Sequence, residues 1–222
     1  MRRIILKICV AIDGPAGAGK STIAKLVGRE HNLMYINTGA MYRAVALKAA
    51  ENNLSPDKIK EICDLTEEME MHFENDDLIV DGENIQDKIT MPEISSIVSA
   101  YASIPEVRKI LVKLQRAMSE KYSVIMDGRD IGTVVLKDAD FKFFLTASAE
   151  ERAKRRFKEL QGRNIECSYD EILKDIIERD YKDTHRETDP LRKADDAIEI
   201  DSTSLDINGV VNEINKVIYA HK

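Results

Sequence analysis

The chain has 222 residues, and 33 Lys+Arg against 40 Asp+Glu leave a formal charge of −7. With 43% hydrophobic residues, that length buries a substantial core as one large domain or one domain carrying an insertion, and it excludes a disordered or coiled-coil chain. The acidic balance argues against holding nucleic acid or a membrane surface through overall charge, so local basic clusters carry the information.

No apolar run approaches a bilayer span; Ile8–Ile12 and Phe143–Leu145 are strand-sized. The start Met1-Arg2-Arg3 is basic, but Lys7 interrupts the apolar run and no small-residue cleavage site follows, so a cytoplasmic location is expected. Cys9, Cys63 and Cys167 are widely spaced with no CxxC, which predicts ordinary thiols.

In chain order, a β run over Ile4–Ile12 enters a glycine-rich turn and then a helix from about Ser21 to Glu30. Leu33–Ile36 is a second strand and Ala40–Glu51 a second helix. Met69–Glu74 and Leu78–Val80 are short strands joined by Asn75-Asp76-Asp77, and the turn Asp81-Gly82 leads to a third at Asn84–Gln86. Three small antiparallel strands mark roughly residues 66–90 as part of an insertion, followed by two helical segments split near Pro105. The sheet resumes at Val124–Met126, Phe141–Leu145 and Ala197–Ile200. Between the last two, helices are predicted behind the capping boxes Ser148…Glu151 and Ser168…Glu171. Ile207, Val210, Val211, Ile214, Val217 and Ile218 then repeat at helical spacing. Buried strands alternating with helices predict an α/β fold, a five-stranded parallel sheet with helices on both faces.

Gly14-Pro15-Ala16-Gly17-Ala18-Gly19-Lys20-Ser21 matches G-x-x-x-x-G-K-[ST] and lies directly between an apolar strand and a helix. In that context the glycines turn backbone N–H groups inward and the helix start adds its positive dipole end. Lys20 reaches the β and γ phosphates, and the Ser21 hydroxyl can ligate Mg²⁺. ATP binding is expected at Gly14–Ser21 with Thr22, and the metal role rests on Ser21, with the adjacent Thr22 hydroxyl as the alternative. A GTPase needs an Asn-Lys-x-Asp reader, and Asn215-Lys216-Val217-Ile218 lacks the Asp. A small-molecule kinase fits the size best, with a shikimate-like metabolite among the alternative acceptors and a regulatory ATP-binding module that lacks turnover as the alternative from another class.

Transfer between two anions requires fixed guanidiniums around the acceptor. Thr38 and Arg43 follow the second strand, and Asp127-Gly128-Arg129-Asp130 the third, both at strand ends where open α/β sheets bind ligands. Arg179, Asp183 and Arg186 share one helix face, and Arg152, Arg155 and Arg156 form another cationic face. Each cluster alone also suits a solvated, salt-bridged surface. Asp127 suits either a water-mediated Mg²⁺ contact or a turn cap. His31, His72, His185 and His221 show no ligand spacing.

From Ile12–Ser21 through Thr38-Gly-Ala-Met-Tyr-Arg43, Asp127-Gly-Arg-Asp-Ile-Gly-Thr133 and Arg179-Asp-x-x-Asp-x-x-Arg186 to Asp201-Ser-Thr203, the chain resembles the bacterial cytidylate kinases of the nucleoside monophosphate kinase group. The resemblance covers nearly the full length. It departs mildly at Thr38, where Ser is common, and at Ser21 in place of a frequent Gly. It implies a P-loop kinase core over about 1–36, 123–150 and 190–222. A monophosphate-binding region with its β plus helical insertion would occupy about 37–122, and a short helical lid with acceptor-binding helices about 151–189. It further implies ATP as donor with Mg²⁺, CMP or dCMP as acceptor, a monomer, and no nucleic-acid or membrane partner. By the same resemblance Arg43, Arg129 and Arg186 hold the acceptor phosphate, beside Thr38. Arg179 with Asp183 binds the sugar, and Ser99, Arg108 and Asp130 read the base. Lys20 and Arg129 act on the transferring group, with Arg155 and Arg156 as lid arginines.

Overall fold

The computed structural model describes residues 7–220. Five parallel strands form the main sheet: β1 (Cys9–Asp13), β2 (Met34–Asn37), β6 (Val124–Gly128), β7 (Phe141–Thr146) and β8 (Ile198–Asp201), in the order β2-β6-β1-β7-β8. The three inner strands β6, β1 and β7 contribute near-continuous apolar runs, as strands covered on both faces must. Edge strand β8 buries only Ile200 of its four residues. The part of the predicted first strand at Ile4–Leu6 lies outside the described residues.

Alternation along the strands sends successive side chains to opposite faces. Ala11, Ile36, Val124 and Met126 join one core. There they meet α2 (Thr38–Glu51), α5 (Pro92–Ala102) and α6 (Pro105–Lys121). Val10, Ile12, Tyr35, Ile125, Phe143 and Leu145 point the other way, onto α1 (Lys20–His31) and the C-terminal α9 (Ile207–Ala220). α2 is buried almost all round because the insertion covers the side the sheet leaves open.

That insertion begins with α3 (Ile59–Glu68) and forms a separate antiparallel sheet of β3 (Met71–Glu74), β4 (Asp77–Val80) and β5 (Glu83–Asn84). The third strand is shorter than predicted: Ile85 is buried and Gln86 already starts the single turn α4 (Gln86–Ile89). Pro92 and Pro105 each stand at a helix start, where the missing N–H costs nothing, and this explains the break between α5 and α6.

A third, smaller core lies between α7 (Ala149–Gly162) and α8 (Tyr169–His185), where Ala153, Leu160, Ile172 and Ile176 meet. Ser148 caps α7 as predicted, accepting the Glu151 N–H at 3.2 Å. The box predicted at Ser168 is not formed; its side chain makes no cap bond.

Candidate active site

β1, β2 and β6 all end on the same edge of the sheet. Gly14 leaves β1 at φ +148°, and a Cβ there would sit 1.9 Å from the Leu145 carbonyl oxygen, so no other residue fits. Gly17 and Gly19 also adopt positive φ, and Gly19 stands immediately before the first residue of α1. Lys20 folds back over the loop, buried, with its Nζ donating to Pro15 O at 2.7 Å. Burial holds its ammonium well below the usual lysine range, reinforced by Arg129 and opposed by Asp127 and Asp13. An ammonium so placed gains from any phosphate that enters the loop.

Asp127 at the end of β6 accepts from Ser21 Oγ at 3.0 Å and from the buried Tyr35 hydroxyl at 2.8 Å. It is therefore not a turn cap. Ser21 and Asp127 together present a hydroxyl and a carboxylate, hard oxygen donors of the kind magnesium takes alongside phosphates and water. Thr22, next to Ser21, is exposed. The neighbouring turn is held by Asp13, whose two oxygens each accept one N–H at 2.7 Å, from Ile131 and Gly132. These open a short π-helical turn over Ile131–Val135, whose far end is fixed by Arg116 donating to the Val134 and Val135 carbonyls. Burial raises the Asp13 carboxyl to about 6 despite those two bonds.

Facing the phosphate loop is a group of guanidiniums. Arg129, directly after β6, donates from Nε to Asp183 on α8 at 2.7 Å. Asp183 is buried, yet Arg129 and Arg179 more than offset the burial and keep its carboxyl below the usual range. Arg43 on α2 and Arg179 on α8 differ: each has a buried Nε with no hydrogen-bond partner among the described residues. Burial depresses both, and each is depressed further by Arg129; Arg179 falls to about 9. Guanidiniums with a buried, unpartnered Nε are costly unless an anion or another acceptor arrives. Three guanidiniums with one shared carboxylate, beside a buried lysine, make that anion site.

Behind it lies a second polar cluster. Arg108 on α6, almost fully buried, donates to Asp130 through Nη2, to Asp189 through Nε at 2.9 Å and to Ala102 O at 3.2 Å. Tyr42 covers its guanidinium at 5.4 Å. Arg186 lies 3.5 Å from the other Asp130 oxygen and donates to Asp189 O at 2.7 Å. Burial raises the Asp130 carboxyl, and Arg108 and Arg186 pull against that rise. Thr38 Oγ1 donates to Asp127 O at 2.7 Å, and Ser99 is half-buried on α5 with no side-chain hydrogen bond among the described residues.

The structure thus gathers Lys20, Arg43, Arg129, Arg179 and Asp183 in one cluster, with Arg108, Asp130 and Arg186 in the adjoining one. Arg155 and Arg156 stand apart from the phosphate loop. Arg155 donates to Ser202 O at 2.6 Å, to Ser202 Oγ at 3.1 Å and to Glu151; Arg156 pairs with Glu159 at 2.7 Å. The arginine of α7 that does touch the loop is Arg152, 3.1 Å from Ala16 O. The sequence alone gives no role to Asp13, Tyr35, Tyr42, Arg116, Asp180 or Asp189, although Asp13 stands at a strand end, Tyr42 and Asp180 fall inside the motifs quoted above, and Asp189 lies in a Thr-Asp-Pro turn.

A glycine-rich loop after the central strand, with a guanidinium-lined acceptor crevice beside it, defines a P-loop phosphotransferase. The comparisons narrow the class. The family model for cytidylate kinase matches residues 10–220. A cytidylate kinase from Clostridium perfringens is 68% identical over 208 residues, 94% of this chain and 96% of that one. One from Clostridium acetobutylicum is 59% identical over 213 residues, 96% of this chain and 98% of that one. Among solved structures, a shikimate kinase from Bacteroides thetaiotaomicron superposes with a TM-score of 0.50 at 14% identity, covering 96% of this chain and 98% of that one, a likeness of fold alone. The chain belongs to the cytidylate kinase family.

Proposed function

We propose that the chain transfers the γ-phosphoryl group of ATP to CMP or dCMP, giving ADP and CDP or dCDP. The observation that carries this is the pair of half-buried arginines Arg43 and Arg179 beside Lys20, each with a buried Nε that has no hydrogen-bond partner among the described residues. An ATP-binding module without a second substrate has no use for them.

The acceptor phosphate lies among Arg43, Arg129 and Arg186, within reach of the Thr38 hydroxyl, and Arg179 with Asp183 takes the sugar hydroxyls. Its oxygen attacks the γ-phosphorus in line while ADP leaves, so no covalent enzyme intermediate is needed. Lys20 and Arg129 neutralise the charge that two anions bring together. The loop residues Gly14–Ser21 and Thr22 bind the ATP phosphates. Ser21, with Asp127 behind it, would hold Mg²⁺, which when bound neutralises phosphate charge. Asp130, braced by Arg108 and Arg186, retains lone pairs for the cytosine amino group, and Arg108 and Ser99 complete the base site. Uracil offers a carbonyl there, oxygen against carboxylate oxygen with no proton between them, a penalty that binding alone can turn into large discrimination.

The helical pair α7–α8 has its own small core, which suits a lid that moves as a unit over the crevice and excludes water, a competing acceptor. Arg156, which adds to the field on Arg43, and Arg155, on release from Ser202, are its arginines for the transferring group. The chain is read as a monomer. No helix of the described residues is long and apolar enough to cross a membrane, and Cys9, Cys63 and Cys167 are free thiols, as a cytoplasmic enzyme of nucleotide metabolism would have.

A coupled ADP-release assay over CMP, dCMP, UMP, AMP and GMP tests the reading. Turnover with CMP or dCMP well above the others is expected; monophosphate-independent ATP hydrolysis alone, or a preference for AMP, would refute it.

A further inference from the structure

Arg152 is buried and spends its guanidinium on three different parts of the fold. Its Nε donates to Ala147 O at 2.9 Å, just ahead of its own helix. Its Nη1 donates to Ala16 O in the phosphate loop at 3.1 Å. Nη1 and Nη2 together grip the Asp180 carboxylate on α8 at 3.1 and 2.6 Å, the bidentate geometry that fixes direction as well as charge. The loop also packs on the stem: a Cβ on Gly17 would lie 3.3 Å from Arg152 Cβ.

The Ala16 carbonyl and the Gly17 N–H belong to one planar trans peptide and point in opposite directions. Holding that carbonyl against Arg152 therefore turns the Gly17 N–H away from it, and loop N–H groups are what cradle phosphate. At the other end, Asp180 adjoins Arg179, the partnerless guanidinium of the acceptor cluster, and the Asp180 charge is among those that act on it. Nothing else among the described residues joins the loop backbone to α8 through a single side chain.

We propose that Arg152 and Asp180 are positioning residues that couple the two substrate sites. An acceptor held by Arg179 fixes α8, α8 fixes Arg152 through Asp180, and Arg152 sets the Ala16–Gly17 peptide for the ATP phosphates. This rests on the acceptor site proposed above. Because coupling is reciprocal, it is read as the factor by which one substrate tightens the other.

The test is calorimetric titration of a non-hydrolysable ATP analogue with magnesium, with and without saturating CMP, on the wild type, Asp180→Asn and Arg152→Lys. The expected wild-type result is CMP tightening the analogue by about 5-fold or more, within the usual range of coupling between sites. In Asp180→Asn the factor is expected to fall below about twofold, while affinity for CMP alone changes less than about threefold. Arg152→Lys, which keeps the charge but not the fork, gives the same loss of coupling and serves if the first variant does not fold. A merely structural link would lower melting temperature and leave the coupling factor intact, and that result overturns the inference. So does a wild type that binds CMP without tightening the analogue. A wild type that does not bind CMP at all would instead remove the acceptor reading itself, and the link with it.

Discussion

Replacing Arg179 by Met stabilises the nucleotide-free protein while weakening CMP binding. The side chains are similar in length, but only arginine brings a charge into a place where burial, Arg129 and Arg43 disfavour it, strongly enough to lower its pKa to about 9. Exchanging a buried, poorly compensated ion for an apolar side chain stabilises by about 1–4 kcal/mol. Arg179 is only partly shielded from water, so about 1–2 kcal/mol is expected, or a melting point higher by roughly 2–8 °C in a chain of this size. The pH dependence has a definite sign. Arg179 loses its proton near 9 in the fold and only at higher pH when unfolded, so the unfolded state binds more protons in that interval and wild-type stability rises with pH. The advantage of Arg179→Met should therefore shrink above pH 9. Loss of charge-assisted hydrogen bonds at about 1.5–3 kcal/mol predicts CMP affinity lower by roughly 10- to 150-fold. Thermal unfolding from pH 7 to 10 and CMP titration measure both effects. Lower stability at pH 7, or unchanged CMP affinity, would refute the reasoning.

Asp13→Asn should flatten the acid side of the stability profile. With the folded carboxyl near 6 and its unfolded value near 3.9, the folded state binds more protons between the two. Wild-type stability thus falls as pH rises from 4 to 6, by on the order of 3 kcal/mol. Urea midpoints for both proteins across that interval measure it, and parallel profiles would contradict it. Gln115 is fully buried, with Oε1 unpartnered and Nε2 against the Met41 sulfur at 3.8 Å. Gln115→Leu should therefore raise stability by about 1–2 kcal/mol, the cost of an unsatisfied buried polar atom; a lower melting point would show an unseen partner. Gly14→Ala forces a Cβ onto the Leu145 carbonyl at 1.9 Å and should cost at least about 2–3 kcal/mol together with ATP binding. A urea midpoint unchanged from wild type would mean that β1 and β7 separate easily there.

The sheet was legible because its strands are apolar runs with glycine, proline or polar breaks between them, and the phosphate loop because Gly14–Ser21 is contiguous. Lys20, Arg43 and Arg129 could be assigned because each follows a strand that must end at the ligand edge. Arg152 could not be told from Arg155 and Arg156, because all three fall within little more than one helical turn and only the packing of α7 on the loop decides which faces it. The roles of Asp13 and Tyr35 were hidden for a related reason. Their partners Ile131, Gly132 and Asp127 lie about a hundred residues away and meet them through parallel pairing of β6 with β1 and β2. The π-helical turn has no periodicity short enough to read, and the unformed cap at Ser168 shows that a capping motif yields to the path of the preceding loop.

The central claim is that Arg43, whose Nε has no partner among the described residues, awaits the acceptor's phosphate together with Arg129 and Arg186. Calorimetric titration of the protein with CMP and, separately, with cytidine tests it most directly. Two or more charge-assisted bonds at about 1.5–3 kcal/mol each predict CMP binding at least about 100-fold tighter than cytidine. Equal affinity for the two would contradict the account.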